Sequence, residues 1–280
     1  MTGLVIEGGG MRGIFAAGVL EYLLDNDIKV DYVIGVSAGA CHGCSYVSGQ
    51  KGRAFAVCTD YMDDPRYGSV QSLLKTGDYF GKKFMYHTIP EELNPVDNES
   101  FKKSGIRFEV GVFNCNTGES EYPEIKDMFE DVDWIAASAS LPLFAKMVDI
   151  GGYQYMDGGL SDSIPVKHAQ EIGCDKVIVI LTRERGYRKA ASKSIPLIKA
   201  KYKDYPKLIE ALKRRHTVYN ETLEYIDGEE KKGNVFVIAP VKDLGVGRLE
   251  KDRNKLKNAY LEGYYVTESY ADKLKEFLEK

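Results

Sequence analysis

A serine between two glycines is the first feature of this sequence that could carry out chemistry. The stretch GVSAGA, residues 35–40, follows a short apolar run and matches the G-x-S-x-G pattern. In that pattern a sharp strand-to-helix turn exposes the serine hydroxyl at its apex, and Gly35 and Gly39 leave room for the turn. Ser37 is therefore a candidate nucleophile, and it needs a base that accepts its proton.

Asp157 and the histidines are the candidate bases. Asp157 lies in the stretch MDGG, whose two glycines predict a tight turn that allows the carboxylate to approach closely. The chain order serine, aspartate and then His168 or His216 also fits a triad of the α/β-hydrolase type. Because the serine turn of that fold normally follows several strands and this one follows the second, we favour Asp157 as the direct partner of Ser37. The histidines are interpreted as surface or packing residues: His42, His168 and His216.

A glycine-rich loop precedes the serine. The stretch EGGGMRG, residues 7–13, matches G-x-G-x-x-G between a predicted strand and a predicted helix, where backbone N–H groups can bind an anion. A dinucleotide site would also need an acidic residue at the end of the second strand, but Asp31 lies at its beginning. The turns after adjacent parallel strands emerge at the same sheet edge, so the loop and Ser37 should face each other. We favour an oxyanion site and keep a nucleotide- or phosphate-binding module as the alternative.

Alternating strands and helices are predicted to position these residues. Two strand-helix units within about the first 50 residues predict a parallel sheet with right-handed crossovers. The stretches DKVIVILT and NVFVIAP read as two further buried strands, and GIRFEVGVFNCNTGESEYP predicts a hairpin. A helix is predicted to begin near Pro165, with Ser163 as its cap.

Composition narrows the class of protein. Hydrophobic residues make up 44% of the 280 residues and charged residues 29%, which is typical of a soluble globular protein. The N-terminal residues do not resemble a secretory signal, and no apolar run is long enough to span a bilayer. Five cysteines, an odd number, favour a reducing compartment, and Cys41 and Cys44 lack the partners of a zinc site. We therefore expect a cytoplasmic protein without a metal or a cofactor.

Two further segments could meet a lipid. Between Arg183 and Arg215 there are twelve Lys and Arg against three acids, a net charge of +9, so the remainder carries −13. This basic segment is either a solvated helix or a docking surface for anionic lipid headgroups at the inner membrane surface. The aromatic-rich residues 65–100 predict either an apolar lid over the site or an insertion that packs on the core.

The three motifs together resemble the patatin-like phospholipase family. EGGGMRG, GVSAG and DGG occur in that order over residues 7–159, and ASASLPLF and YMDGGLSDSIPV are similar to further segments of the family. The resemblance implies a three-layer α/β/α fold with a mainly parallel central sheet. It also implies a serine acyl hydrolase that cleaves lipids or lysophospholipids with a Ser-Asp dyad, without a cofactor or a nucleic-acid partner.

The resemblance also implies roles for individual residues. They are the catalytic pair Ser37 and Asp157, the oxyanion region Gly8, Gly9, Gly10, Met11, Arg12 and Gly13, and the motif turns Gly35, Gly39, Gly158 and Gly159. Glu7 stands where many members carry aspartate, and Ser163 where asparagine is frequent, so both could alter the anchoring of loops. We expect residues 1–280 to form one domain, with a motif-bearing core of about 1–180 on which residues 181–280 pack.

Overall fold

A central eight-stranded sheet organises the computed structural model, which describes residues 1–279. The strands are β1 (Thr2–Ile6), β2 (Tyr32–Val36), β3 (Arg107–Asn114), β4 (Ser120–Glu121), β5 (Val148–Ile150), β6 (Tyr153–Asp157), β7 (Lys176–Ile180) and β8 (Val235–Ile238). They lie in the order β5-β6-β3-β2-β1-β7-β8, with β4 beside β3. The pairs from β3 through β8 on this path are parallel, while β4 and β6 run antiparallel to β3. The predicted α/β class, mainly parallel sheet and hairpin are confirmed.

Helices cover both faces of the sheet. They are α1 (Ile14–Asp25), α2 (Ala38–Val47), α3 (Arg53–Thr59), α4 (Val70–Thr76), α5 (Asn98–Lys103), α6 (Val132–Ser138), α7 (Val166–Glu171), α8 (Ile195–Lys201), α9 (Pro206–Lys232), α10 (Arg253–Ser269) and α11 (Ala271–Glu279), with a π-helix at Phe84–Leu93. Leu4 and Ile6 pack with α1, α2 and α10, whereas Val5 packs with α7 and α9. Successive strand residues thus enter opposite cores, which gives the predicted three layers.

The helices α1 and α10 cross at two glycines. A Cβ atom on Gly18 would lie 1.9 Å from the Tyr260 carbonyl oxygen, and one on Gly263 would lie 2.1 Å from the Phe15 carbonyl oxygen. The two backbones therefore touch with no side chain between them. This contact joins the N-terminal motif-bearing part to the C-terminal helices, and a single domain over residues 1–280 stays a prediction.

Two local predictions have different outcomes. Ser163 is not the cap of α7: the helix begins after Pro165 without a side-chain cap, and the Ser163 hydroxyl donates to the Gly159 carbonyl at 3.1 Å. In residues 65–100, Phe84 and Ile89 are buried in the core, which supports packing rather than an exposed apolar lid. No helix within residues 1–279 is long and apolar enough to cross a membrane.

We expect Gly263→Ala to lower the free energy of unfolding by about 1–3 kcal/mol, because the added methyl group must displace the α1 backbone. The matched control is Gly228→Ala in α9, where no atom lies within 4 Å of the added Cβ. That control should raise stability by about 0.5–1 kcal/mol, since alanine favours helix more than glycine does. Urea denaturation measures both changes. Equal midpoints for Gly263→Ala and the wild type would contradict the close crossing.

Candidate active site

Ser37 lies in a strained turn between β2 and α2. Its backbone has φ 57° and ψ −122°, a conformation that residues with a side chain rarely adopt. The backbone around the turn is closely packed. A Cβ on Gly39 would lie 2.2 Å from the Ile6 carbonyl oxygen, and one on Gly35 would lie 2.4 Å from the Gly39 backbone. Both glycines of the motif are therefore required by space, and the turn has the geometry expected from the sequence pattern.

A second serine holds this turn in place. The Ser37 amide donates to the Ser138 hydroxyl oxygen at 2.9 Å, and the Ser138 hydroxyl donates to the Gly111 carbonyl at 2.7 Å. Ser138 is completely buried at the end of α6. Ser138 and Gly111 are absent from the site residues that the sequence predicts. The only signal for Ser138 is the small-residue stretch ASAS, which does not say which serine reaches the turn.

Asp157 reaches the same edge of the sheet from another strand. It ends β6, opposite Val112 of β3, and the neighbouring Gly111 lies opposite Val36 of β2. The ends of β2 and β6 lie on either side of β3, so Val36 and Asp157 are separated by about two strand spacings, or roughly 10 Å. A Cβ on Gly158 would lie 2.3 Å from the Gly111 carbonyl oxygen, so the loop after Asp157 closes tightly on β3.

Asp157 is 1% exposed, and only one of its two carboxyl oxygens accepts a hydrogen bond in the described chain. Its Oδ1 accepts a hydrogen bond from the Gly159 amide at 2.8 Å, while Oδ2 has no hydrogen-bond partner in the described part of the chain. Burial raises the pKa of Asp157, and the positive charge of Arg215 and the nearby Ser37 hydroxyl oppose that rise. The serine is thus close to the carboxyl, although no hydrogen bond between their side chains meets ordinary distance and angle limits within residues 1–279.

The glycine-rich loop leaves backbone donors free beside the serine. Gly8 abuts it, since a Cβ there would lie 2.8 Å from the Ser37 Cβ. Among the described residues, the amides of Gly8, Gly9 and Gly10 donate to no protein group. The Met11 amide differs, because it donates to the Arg248 carbonyl at 3.1 Å. Of the predicted oxyanion region, the three glycines therefore have donors available for an anion.

Glu7 anchors the glycine-rich loop to the chain after β7 and to helix α9. One carboxylate oxygen accepts from the Thr182 amide at 2.6 Å and from the Thr182 hydroxyl at 3.1 Å, and the other accepts from the Tyr219 hydroxyl at 2.7 Å. Thr182 follows β7 and Tyr219 belongs to α9. Glu7 thus connects the glycine-rich loop to the end of a neighbouring strand and to a C-terminal helix.

The histidines do not form a triad with the serine in the described part of the chain. His168 hydrogen-bonds through Nε2 to Glu109 at 2.7 Å and lines neither cavity that reaches Ser37. His42 is buried, and burial lowers its pKa to about 4. His216 lines a cavity together with Ser37, and its surface or packing role stays a prediction. No hydrogen bond joins His216 to either candidate catalytic side chain among residues 1–279.

Two cavities of different character meet at Ser37. The larger has a volume of about 440 Å³ and contains the glycine loop, Asp157, His216 and five cationic side chains: Arg12, Arg183, Lys189, Arg215 and Arg248. The smaller has a volume of about 110 Å³ and is mainly apolar, with walls that include Cys41, Tyr67, Phe80, Met85, Tyr86 and Leu141. We call them the cationic chamber and the apolar cavity. A molecule that spans both would place the bond between its polar and apolar parts at the serine.

The described residues do not form a group of metal ligands. No three His, Cys, Asp or Glu side chains are grouped to hold a metal ion within residues 1–279. All five cysteines are free, and burial raises the pKa of Cys41, at the apolar cavity, to about 12. A thiol with so high a pKa is a poor metal ligand and a poor nucleophile at neutral pH.

Sequence comparison matches two parts of the chain to two families. A model described as patatin-like phospholipase matches residues 4–169, and a model of a domain of unknown function, DUF6363, matches residues 205–279. The Escherichia coli K12 protein YjjU, described as uncharacterized, is 28% identical over 251 residues, which are 86% of this chain and 69% of that protein. Lysophospholipase NTE1 of Candida glabrata is 26% identical over 181 residues, or 64% of this chain. The matched part is only 10% of NTE1.

A solved structure has a similar fold. VipD from Legionella pneumophila superposes with a TM-score of 0.53 at 15% sequence identity, and the match covers 97% of this chain and 67% of that chain. At this identity the similarity concerns the fold alone. It agrees with the three-layer arrangement described above.

We expect Asp157→Asn to be at least as stable as the wild type at pH 7.5. The asparagine keeps an acceptor for the Gly159 amide and removes a buried charge. Because the folded-state pKa of Asp157 is raised above 3.8, the folded protein binds its proton more readily than the unfolded chain does. The wild type should therefore gain stability relative to the variant as the pH is lowered through that pKa.

Urea denaturation at pH 7.5 and at pH 5 measures this difference. The exposed Asp204→Asn serves as the control and should leave stability unchanged at both pH values. A variant Asp157→Asn that is clearly less stable than the wild type at pH 7.5 would contradict the destabilising burial.

Proposed function

The chain belongs to the patatin-like phospholipase family, and on that premise we propose that it is a lipid acyl hydrolase with Ser37 as nucleophile and Asp157 as base. One observation carries the proposal: a strained, nearly buried serine lies next to a buried carboxyl that has an oxygen without a partner in the described chain. An unpartnered buried carboxylate oxygen costs stability, and its retention is explained by a chemical role.

Acylation begins when Asp157 accepts the proton of the Ser37 hydroxyl as Oγ attacks the ester carbonyl carbon. The carbonyl oxygen becomes an oxyanion, which the free amides of Gly8, Gly9 and Gly10 stabilise by hydrogen bonds. The intermediate collapses when the bond to the leaving alcohol breaks, and Asp157 returns the proton to that alcohol. The acyl group then remains on Ser37 as an ester.

Deacylation repeats the steps with water as the nucleophile. Asp157 accepts a proton from water, the hydroxide oxygen attacks the acyl carbonyl, and the proton passes to Ser37 Oγ as the acyl-enzyme breaks. The raised pKa of Asp157 makes it a stronger base than an exposed aspartate. The positive charge of Arg215 opposes that rise and favours the ionised carboxylate.

We infer that the substrate is a lipid with one acyl chain. The apolar cavity of about 110 Å³ can hold the part of a chain next to the ester, and the cationic chamber lies on the other side of Ser37 for the polar part. Relatives that are named lysophospholipases match residues of this chain at 26–28% identity, which supports the same substrate class. Location in the cytoplasm and contact with an anionic membrane surface stay predictions.

We expect Ser37→Ala to abolish labelling by a fluorophosphonate probe and to reduce hydrolysis of p-nitrophenyl esters by more than about 10⁴-fold. Asp157→Asn should reduce turnover by about 10²–10⁴-fold, because it removes the base but keeps the fold. His168→Gln is the control, since its side chain lines neither cavity, and it should retain wild-type turnover.

Two results would contradict this dyad. Loss of labelling in His216→Gln as severe as in Asp157→Asn would favour a Ser-His-Asp triad. Absence of labelling in the wild type, together with thermal stabilisation by NAD or ATP, would favour the nucleotide-binding module.

We expect Arg215→Gln to move the acid limb of the kcat/KM profile to higher pH. The base acts only when ionised, so the rate falls as the pH drops through the pKa of Asp157. Arg215 is the charge that most lowers that pKa, so its loss should let burial raise the pKa further. The exposed neighbour Arg214→Gln should leave the limb in place. An unchanged limb in Arg215→Gln would argue that Asp157 does not set it.

A further inference from the structure

The cationic chamber holds more positive charge than its own acids can neutralise. Of its five cationic side chains, only Arg183 forms an ion pair within residues 1–279, with Asp243 at 2.6 Å. The other four form no ion pair within the described residues: Arg12, Lys189, Arg215 and Arg248. Arg215 donates to the Gly159 carbonyl, and Lys189 lies over the ring of Tyr219 with 4.0 Å from Nζ to the centroid.

The two acids of the chamber are already committed. Both carboxylate oxygens of Glu7 accept hydrogen bonds from Thr182 and Tyr219, so they are occupied in anchoring the glycine loop. The Asp157 carboxyl is the proposed base. The four unpaired cations therefore face a cavity rather than carboxylates.

This grouping of positive charges is electrostatically unfavourable. Burial, together with the positive charges of Arg215 and Arg248, lowers the pKa of Lys189 to about 7. Burial likewise lowers the pKa of Arg12 and of Arg215. Arg12, Lys189 and Arg215 are half-buried and Arg248 is exposed. Like charges that lie close together repel each other, most strongly where they are partly removed from water, and a bound anion relieves that repulsion.

The chamber also contains buried polar atoms that lack a hydrogen-bond partner in the described chain. The Arg12 Nε and the His216 Nδ1 are buried and make no hydrogen bond in the described chain, and both residues line the chamber. Guanidinium groups bind phosphate oxygens in pairs of hydrogen bonds. The volume of about 440 Å³ lies within the usual range of small-ligand sites, which is roughly 300–1,000 Å³.

We propose that the cationic chamber binds the phosphate group of a single-chain glycerophospholipid whose headgroup carries no ammonium, and that it disfavours choline and ethanolamine headgroups. The inference rests on the proposed function, because it assigns the headgroup end of that substrate. Ser37 lines both cavities, so a phosphate in the chamber and an acyl chain in the apolar cavity place the ester between them. A headgroup ammonium would meet the cations of the chamber and be repelled.

The test measures binding without hydrolysis. Isothermal titration of the Ser37→Ala protein at about 0.15 M salt compares oleoyl lysophosphatidic acid with oleoyl lysophosphatidylcholine, both below micelle-forming concentrations. Glycerol 3-phosphate and glycerol, titrated in the same way, show what the headgroup contributes without a chain. We expect lysophosphatidic acid to bind at least about ten-fold more tightly than lysophosphatidylcholine, because its phosphate monoester carries about −1.5 to −2 charges and no ammonium, whereas the choline ammonium is repelled by the cations of the chamber.

Charge variants in the Ser37→Ala background assign the preference to the chamber. Lys189→Gln and Arg248→Gln should each reduce it by about ten-fold, whereas Lys189→Arg, which keeps the charge, should retain it. Lys213→Gln is the matched control: Lys213 is exposed on the same basic segment and lines neither cavity, so the preference should not change. Circular dichroism melts identify any variant that fails to fold. The charge-removing variants that do fold are then compared with Lys189→Arg.

Three outcomes would overturn the proposal. Equal affinity for the two lysolipids would show that the chamber does not select a phosphate without ammonium. Glycerol 3-phosphate that binds as tightly as lysophosphatidic acid would identify a free phosphate ester, not a lipid, as the ligand. An equal loss of preference in Lys213→Gln would point to general surface charge. If the preference holds but the wild type hydrolyses no ester, the proposed function fails while the binding site stands.

Discussion

Burial of the Asp157 carboxyl next to Ser37 is the constraint on which the site depends. A carboxyl in a nearly dry position has a raised pKa, and on the proposed function this is what lets Asp157 act as the base for the Ser37 hydroxyl. The fold maintains that position with few groups: the Gly159 amide on one oxygen, and the positive charge of Arg215 nearby. Loss of that charge would raise the pKa of Asp157 further.

The sheet brings the serine and the carboxyl together from distant parts of the chain. β3 lies between β2, which ends at the serine turn, and β6, which ends at Asp157. Gly111 of β3 contacts both sides, because its carbonyl accepts from the Ser138 hydroxyl and packs against Gly158. The glycines around the site allow backbones to approach more closely than any side chain permits. Strain at Ser37 persists because these contacts leave no room for relaxation.

The C-terminal part supplies the environment of the site. Tyr219 of α9 holds the Glu7 carboxylate, Arg215 of the same helix adjusts the base, and Arg248 adds charge at the chamber. The α1–α10 crossing at glycines ties this part to the motif-bearing core. The core thus provides the proposed reacting groups, and the later helices provide positive charges that lie near them.

Local patterns account for what the sequence predicts well. Apolar runs of strand length, glycine turns and the order of strands and helices depend on neighbours in the chain, so they indicate the α/β class, the parallel sheet and the serine turn. Asp157 could be proposed from its two following glycines and from the family resemblance. The histidines were harder to place, because a helix periodicity does not say which face meets a cavity, and His216 reaches the cationic chamber.

The sequence by itself therefore determined the fold class and the candidate reacting residues, because each of these has a signature within a few neighbouring positions. Only the tertiary structure decided that Ser138 holds the serine turn, that Glu7 is bound by Thr182 and Tyr219, and that three cations of the basic segment line the chamber while the others are exposed. These contacts join residues about 100 to 200 positions apart, as with the Glu7–Tyr219 pair. Burial and charge at a site depend on such distant neighbours, and no local pattern specifies them.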